Sequence, residues 1–295
     1  MLQFLADHAI PGCLFFLMLV AGTEILQADF LRLPHNAHAV LLGSAGQLLA
    51  LPPIALAITA VVSPPPAIAA GLLLLSLSPN GGISNSYCYL ARCNVLLSAA
   101  ITAAGTVLCL FTIPAWLGLL AEVRGLNIEL LDVPSRTIIA QLLVLMILPM
   151  SIGMLARRAY PEKTANVKKP LRWLSIGFVA LILALAVATV GPDLSGLVFN
   201  IVVSAALFIV TAMFVGWLFG RGLGDRDRPV LVIEAGVRNV GVALILGRAM
   251  VAPEAFGALA SFITGYFIIE VAIMLAYARH RSRRPECGIS GIVRV

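Results

Sequence analysis

Ser78-Pro79-Asn80-Gly81-Gly82-Ile83-Ser84-Asn85-Ser86 interrupts the apolar run 67–91 about halfway along it, and Glu234-Ala235-Gly236-Val237-Arg238-Asn239-Val240-Gly241 lies near the middle of the run 229–251. Proline lacks a backbone donor and glycine is a poor helix former, so the first stretch breaks a helix, and we read the second in the same way. In hydrocarbon no water can bond the freed backbone groups. Such breaks are tolerated only where protein buries them or where they line a polar cavity. Two of them, in corresponding places of the two halves of a chain, form the pattern of an inverted-repeat secondary transporter. The second half comprises the last five spans, with its break in the fourth. The first half comprises four spans with its break in the third, and matches if one N-terminal helix is missing.

The rest of the sequence supports that reading. The 295 residues are 60% hydrophobic and 12% charged, with a mean hydropathy of +1.01. This excludes a water-soluble domain, a disordered chain and a disulfide scaffold, and predicts an all-α polytopic membrane protein made of a single domain, 1–295. Nine spans are expected, at 10–26, 37–62, 67–91, 94–120, 134–156, 170–190, 195–219, 229–251 and 256–278, followed by a basic tail at 279–295. Pro52 and Pro53 are read as a bend within one helix. Sixteen Lys and Arg side chains follow the odd-numbered spans and three follow the even ones, with Arg238 inside a span. Cytoplasmic loops carry the basic excess, so the N-terminus is expected outside the cell membrane and the C-terminus in the cytoplasm. The net charge of +6 is thereby a topology signal, and no nucleic-acid partner is expected. Cys13, Cys88, Cys93, Cys109 and Cys287 form no metal-ligand pattern and are read as small apolar fillers. No basic region precedes Pro11 and no cleavage site follows, so a cleaved signal peptide is not expected. A monomer is compatible with all of these features.

Glu234 is the sharpest chemical feature. A carboxylate at mid-membrane costs at least about 2.5 kcal/mol and needs a cation, a proton or a basic partner. Arg238, four residues on, offers an ion pair; alternatively Glu234 is a cation ligand, helped by carbonyls that the broken helix frees. Ser84, Asn85, Ser98 and Thr102 offer further oxygens, and Ser98 and Thr102 share one helix face. Glu270 reads as a partner for Arg238, as a proton site or as a residue near a helix end. Glu24 reads as interfacial, and the basic run from Arg157 to Arg172 as a solvated loop near anionic lipid. No nucleophile set, metal motif or nucleotide loop is visible, so an enzyme is not expected.

Several motifs together resemble the bile acid:sodium symporter family: Leu41-Leu42-Gly43 with Gln47 and Pro52; Pro79-x-Gly-Gly-x-Ser84-Asn85; Leu90-Ala91-Arg92-x-Asn94 with Ser98 and Thr102; Leu148-Pro149 with Gly153-Met154 and Arg157-Arg158; and Glu234-x-Gly-x-x-Asn239-x-Gly241. The resemblance runs from about residue 14 to 278. It implies a nine-helix form with panel helices at about 10–26, 134–156 and 170–190, and a core at about 37–120 and 195–278 in which two broken helices cross. It places a sodium site on Ser84, Asn85, Ser98, Thr102 and Glu234. A second ion would fall on Gln47, Glu234, the backbone near Ala235 and Val237, and a glutamine for which this chain has Arg238. A guanidinium offers five donors and no acceptor, so it cannot ligate sodium. Three roles stay open for it: a fixed charge in the second-ion position, a neutralising partner for Glu234, or a contact for an anionic substrate. Asn239, Asn85, Gly82 and Arg238 are the expected substrate contacts, because half-helix N-termini favour carboxylates. The implied function is symport of an organic anion with one sodium. The alternatives are proton-coupled or uncoupled transport of such an anion, efflux resembling that of arsenite exporters, which Cys88 and Cys93 keep open, and a membrane receptor or scaffold.

Overall fold

The computed structural model describes residues 37–122, 136–164 and 194–283, with scattered positions within 12–23 and 166–181. Helix α1 spans Ala37–Val62. It is followed by α2 (Pro66–Leu77), α3 (Ile83–Leu90), α4 (Val95–Glu122), α5 (Arg136–Ala159), α6 (Leu194–Phe219), α7 (Arg228–Gly236), α8 (Val240–Met250) and α9 (Pro253–Ser282). Among the described residues no β-strand occurs, and five stretches are long and apolar enough to cross a membrane: Ala37–Val62, Val95–Leu120, Leu197–Phe219, Arg228–Met250 and Glu254–Ser282. The described part of the protein is therefore all-helical and polytopic. The expected spans at 10–26 and 170–190 fall largely outside the described residues, and Glu24 and Cys287 lie wholly outside them.

The order of elements repeats. A long helix, a broken helix and a second long helix make α1, α2/α3 and α4, and the same series makes α6, α7/α8 and α9. The two series interlock, with α9 lying along α2, α6 along α1, and α7 along α4. Proline opens α2, α7 and α9, where its missing N–H is no loss and its fixed φ suits the first turn. Every residue of α2 from Ala67 to Leu77 is buried. A helix that is apolar all round belongs at the centre of a bundle, and α2 sits there.

Glycine sets how closely α6 approaches α7. A Cβ built on Gly216 would lie 2.2 Å from the Leu231 carbonyl oxygen, a main-chain atom that cannot swing aside. Gly216→Ala is expected to push the two helices apart and destabilise the protein by about 1–3 kcal/mol. A melting curve of the detergent-purified variant that matches the wild type would show that the approach is not needed. Gly153 on α5 makes a similar approach, its Cβ position 2.1 Å from the Leu19 carbonyl oxygen.

The irregularity of α1 differs from the proline bend expected there. A π-helical turn, Gly46–Ala50, stands just before the prolines. Pro52 has no N–H for the Leu48 carbonyl four residues back, and the Trp116 indole of α4 donates to that oxygen at 2.9 Å instead. The wider turn carries Gln47, which is completely buried.

At the other end, α9 runs past 278 into the segment read as a tail. Arg279–Ser282 form its last turn, and the Arg281 guanidinium donates to the Asp225 carbonyl at 2.6 Å, tying α9 to the α6–α7 loop. Cys13, Cys88, Cys93 and Cys109 are buried and form no disulfide among the described residues.

Candidate functional site

The two breaks meet. The Asn239 backbone N–H donates to the Pro79 carbonyl at 2.8 Å, and the Arg238 guanidinium donates to the Ser78 carbonyl at 3.1 Å. A Cβ on Gly81 would stand 3.4 Å from the Arg238 carbonyl oxygen, an ordinary contact distance, so the two breaks lie against each other there. Each break has its own local cause. At the end of α2 the Ser76 and Ser78 hydroxyls bond back to the Leu73 and Leu75 carbonyls, and Pro79 follows. At the end of α7, Val237 is extended, and Asn239 caps α8 by accepting from the backbone N–H groups of Gly241 and Val242 at 3.1 and 3.2 Å. The Tyr266 hydroxyl of α9 donates to the Gly236 carbonyl at 2.8 Å, which satisfies one of the acceptors left at the end of α7.

Beside the crossing, Ser84, Asn85, Ser98, Thr102 and Glu234 form one hydrogen-bonded cluster drawn from α3, α4 and α7. Ser98 Oγ donates to Glu234 Oε1 and lies 2.8 Å from Asn85 Oδ1. Thr102 Oγ1 donates to Glu234 Oε2 at 3.3 Å and is 3.5 Å from Ser84 Oγ. Asn80, which sequence reasoning left without a role, donates from Nδ2 to Thr102 Oγ1 at 2.9 Å. Its place inside the first break was the available signal. Asn94 steadies this end of α4: its Oδ1 accepts from the Leu97 N–H, and its Nδ2 donates to Asp227 Oδ1 at 2.8 Å, joining α4 to the segment that leads into α7.

The chemistry of the cluster suits a hard monovalent cation. A serine hydroxyl has one hydrogen, yet Ser98 Oγ sits against two acceptors, Glu234 Oε1 and Asn85 Oδ1. With Glu234 ionised and Asn85 presenting its oxygen, one of these oxygen–oxygen contacts has no proton between its atoms. A cation held by these oxygens would relieve that contact, and Glu234 supplies the charge to balance it.

Arg238 has a different set of partners. It is 2% exposed. Its Nε donates to the Val237 carbonyl at 2.8 Å, Nη1 to the Ser78 carbonyl, and Nη2 to Gln47 Oε1 at 2.8 Å and the Glu234 carbonyl at 3.0 Å. The Glu234 atom it bonds is the main-chain oxygen, while the carboxylate turns to Ser98 and Thr102. Gln47 and the carbonyls near Val237 are the acceptors that the family resemblance assigned to a second ion, and here they hold a guanidinium. Gly105 makes room for this arrangement, since a Cβ there would lie 2.8 Å from Gln47 Nε2 and 3.1 Å from Asn80 Oδ1.

Of the expected substrate contacts, Asn239, Asn85 and Gly82 lie at the starts of α8 and α3 and are half-buried, whereas Arg238 is sealed in. Glu270 is completely buried in α9, away from either helix end.

The described residues thus form a multi-span helical protein in which two helix breaks touch and a carboxylate-centred oxygen cluster lies beside them. The model of the sodium bile acid symporter family matches residues 11–196, and the chain belongs to that family. The match includes the first break and ends before the second. Among curated relatives, the chain is 25% identical over 235 residues to "Probable sodium/metabolite cotransporter BASS2, chloroplastic" of Oryza sativa subsp. japonica, covering 79% of this chain and 55% of that one. It is 26% identical over 247 residues to "Uncharacterized sodium-dependent transporter YocS" of Bacillus subtilis, covering 80% and 73%. A human relative, "P3 protein", is 28% identical over 220 residues, covering 72% and 45%. The chain thus spans about half the length of the plant and human relatives.

Proposed function

We propose that this protein is a sodium-coupled symporter of an organic anion that works by alternating access and carries one sodium per cycle at Ser84, Asn85, Ser98, Thr102 and Glu234. The observation that carries the reading is the gathering of four polar side chains, Ser84 and Asn85 of α3 and Ser98 and Thr102 of α4, around the buried Glu234 carboxylate of α7. Relatives named for sodium-dependent transport support it. Arg238 acts as a built-in cation in the second-ion position, its donors taking the oxygens that a mobile ion would use. The anion binds near Asn239, Asn85 and Gly82, where two half-helix N-termini bring partial positive charge together. The helices at about 37–120 and 195–278 form the core, which moves against a panel at about 10–26, 134–156 and 170–190. The N-terminus is outside and the C-terminus in the cytoplasm.

A thermal-shift screen of the purified protein against carboxylates, with and without sodium, tests the reading. Sodium alone should stabilise the protein, and one class of carboxylate should add to that only when sodium is present. A sodium-independent response to every carboxylate would remove the coupling.

The ion and substrate positions should separate in mutants. Asn239→Ala removes the α8 cap, at a cost of about 1 kcal/mol, and should lose the carboxylate response while keeping the sodium shift. Ser98→Ala combined with Thr102→Ala should weaken the sodium shift, each lost ligand costing about 1 kcal/mol. Equal loss of the sodium shift in both variants would mean that the two positions are not distinct.

A further inference from the structure

Glu270 is fully buried in α9, and neither of its carboxylate oxygens has a hydrogen-bond partner among the described residues. The Tyr87 hydroxyl of α3 is likewise buried with no partner within hydrogen-bond distance, and it lies near Glu270 across the α3–α9 contact. Two adjoining polar groups left this way at membrane depth require an explanation, because almost all buried polar atoms are paired.

The surroundings narrow the possibilities. Of the elements packed on α9, α2 and α6 bring no ionisable side chain. Helix α8 brings only Arg248, which lies over the Phe256 ring near the start of α9. Helix α3 brings Tyr87, the buried Cys88 and the exposed Tyr89. Helix α7 brings Arg228 and Glu234, and the turn after it brings Arg238. On α9 itself, Tyr266 is one turn away with its hydroxyl on the Gly236 carbonyl, while Glu254 and the basic residues from Arg279 to Arg283 stand at the two ends. Arg238 is within electrostatic reach of Glu270, but its hydrogen bonds go to Gln47 and to three carbonyls. Full burial rules out a side chain reaching for the interface. A carboxylate and one phenol oxygen are too few ligands for a hard metal cation, which gathers about six oxygens. A single added proton, by contrast, neutralises the buried carboxylate and needs no further ligand.

We propose that Glu270 is a proton-binding site: it carries a proton inside the membrane. The site is separate from the sodium cluster and does not depend on it. With Glu270 neutral and no sodium bound, the buried charges of the crossing are Glu234 and Arg238, one of each sign.

The test uses the full chain in lipid nanodiscs with saturating sodium. Infrared spectra are recorded while the pH is stepped upward, for wild type, Glu270→Gln and Glu234→Gln. The wild type and Glu234→Gln should show the carbonyl stretch of a protonated acid near neutral pH and lose it on alkaline titration, and Glu270→Gln should lack it throughout. In parallel, the melting temperature of the wild type should fall as the proton is removed, while that of Glu270→Gln stays flat. No acid band in the wild type overturns the proposal, and so does a band that survives in Glu270→Gln. Failure of Glu270→Gln to fold also overturns it, because the amide has the shape and neutrality of the protonated acid.

Discussion

Glu234→Ala is expected to erase sodium-induced stabilisation completely. At a sodium concentration about a hundredfold above Kd, a single site adds about 2.7 kcal/mol to the folded state, and a chain unable to bind the ion gains none of it. The reason is geometric as well as electrostatic. Both carboxylate oxygens face the hydroxyls of Ser98 and Thr102, and Glu234 is the only acidic side chain in the cluster. Glu234→Gln separates the two contributions, because it keeps the volume and one carbonyl oxygen but removes the charge. It too should lose the shift. Folded yield is expected to survive in both variants, since the bonds of Arg238 go to Gln47 and to main-chain carbonyls and do not depend on the lost carboxylate. A sodium shift of wild-type size in either variant would refute the ion site.

Arg238→Ala should be the most damaging substitution to the fold itself. It strips donors from Gln47 Oε1 and from the carbonyls of Ser78, Glu234 and Val237 in one step. Each buried acceptor left unpaired costs about 1–3 kcal/mol, so even two of them remove a large part of a typical folding stability. Arg238→Gln is expected to behave differently. It restores acceptors where a second cation can sit, and sodium then replaces the lost guanidinium, so the variant should be unstable without sodium and recover with it. The Hill coefficient for sodium stabilisation should rise from about one to about two. Melting curves over a sodium titration measure both effects, and an Arg238→Gln protein with a single-site response would show that Arg238 does not stand in for an ion.

The fold was legible because the bilayer imposes a length and a polarity that leave clear marks on a sequence. The limits of α1, α4 and α6 lie within two residues of the hydropathy runs, and both breaks occur where proline, glycine and polar residues interrupt them. Ser84, Asn85, Ser98, Thr102 and Glu234 were also legible, since polar side chains stand out against an apolar background. What escaped depended on partners distant in sequence. Trp116 looks like any aromatic residue in a membrane helix until the carbonyl that Pro52 cannot bond is found beside it. The four-residue spacing of Glu234 and Arg238 suggested an ion pair, but α7 ends at Gly236, between them, and the extended backbone beyond it turns the guanidinium toward Gln47. Tyr87 and Glu270 sit on helices far apart in the chain, and nothing local to either announces the other.

The link from the Asn239 N–H to the Pro79 carbonyl is made by main-chain atoms alone. Residue 239 can therefore become any amino acid other than proline, and residue 79 any at all, without deleting either partner of that joint. Arg238 braces the crossing with its side chain by way of the Ser78 carbonyl, whereas this joint needs no side chain at all. If Arg238 stands in for an ion as proposed, an exchange between glutamine and arginine at position 238 changes how many ions the protein holds while this joint stays in place. Ion stoichiometry is then an evolutionarily soft property resting on a hard one.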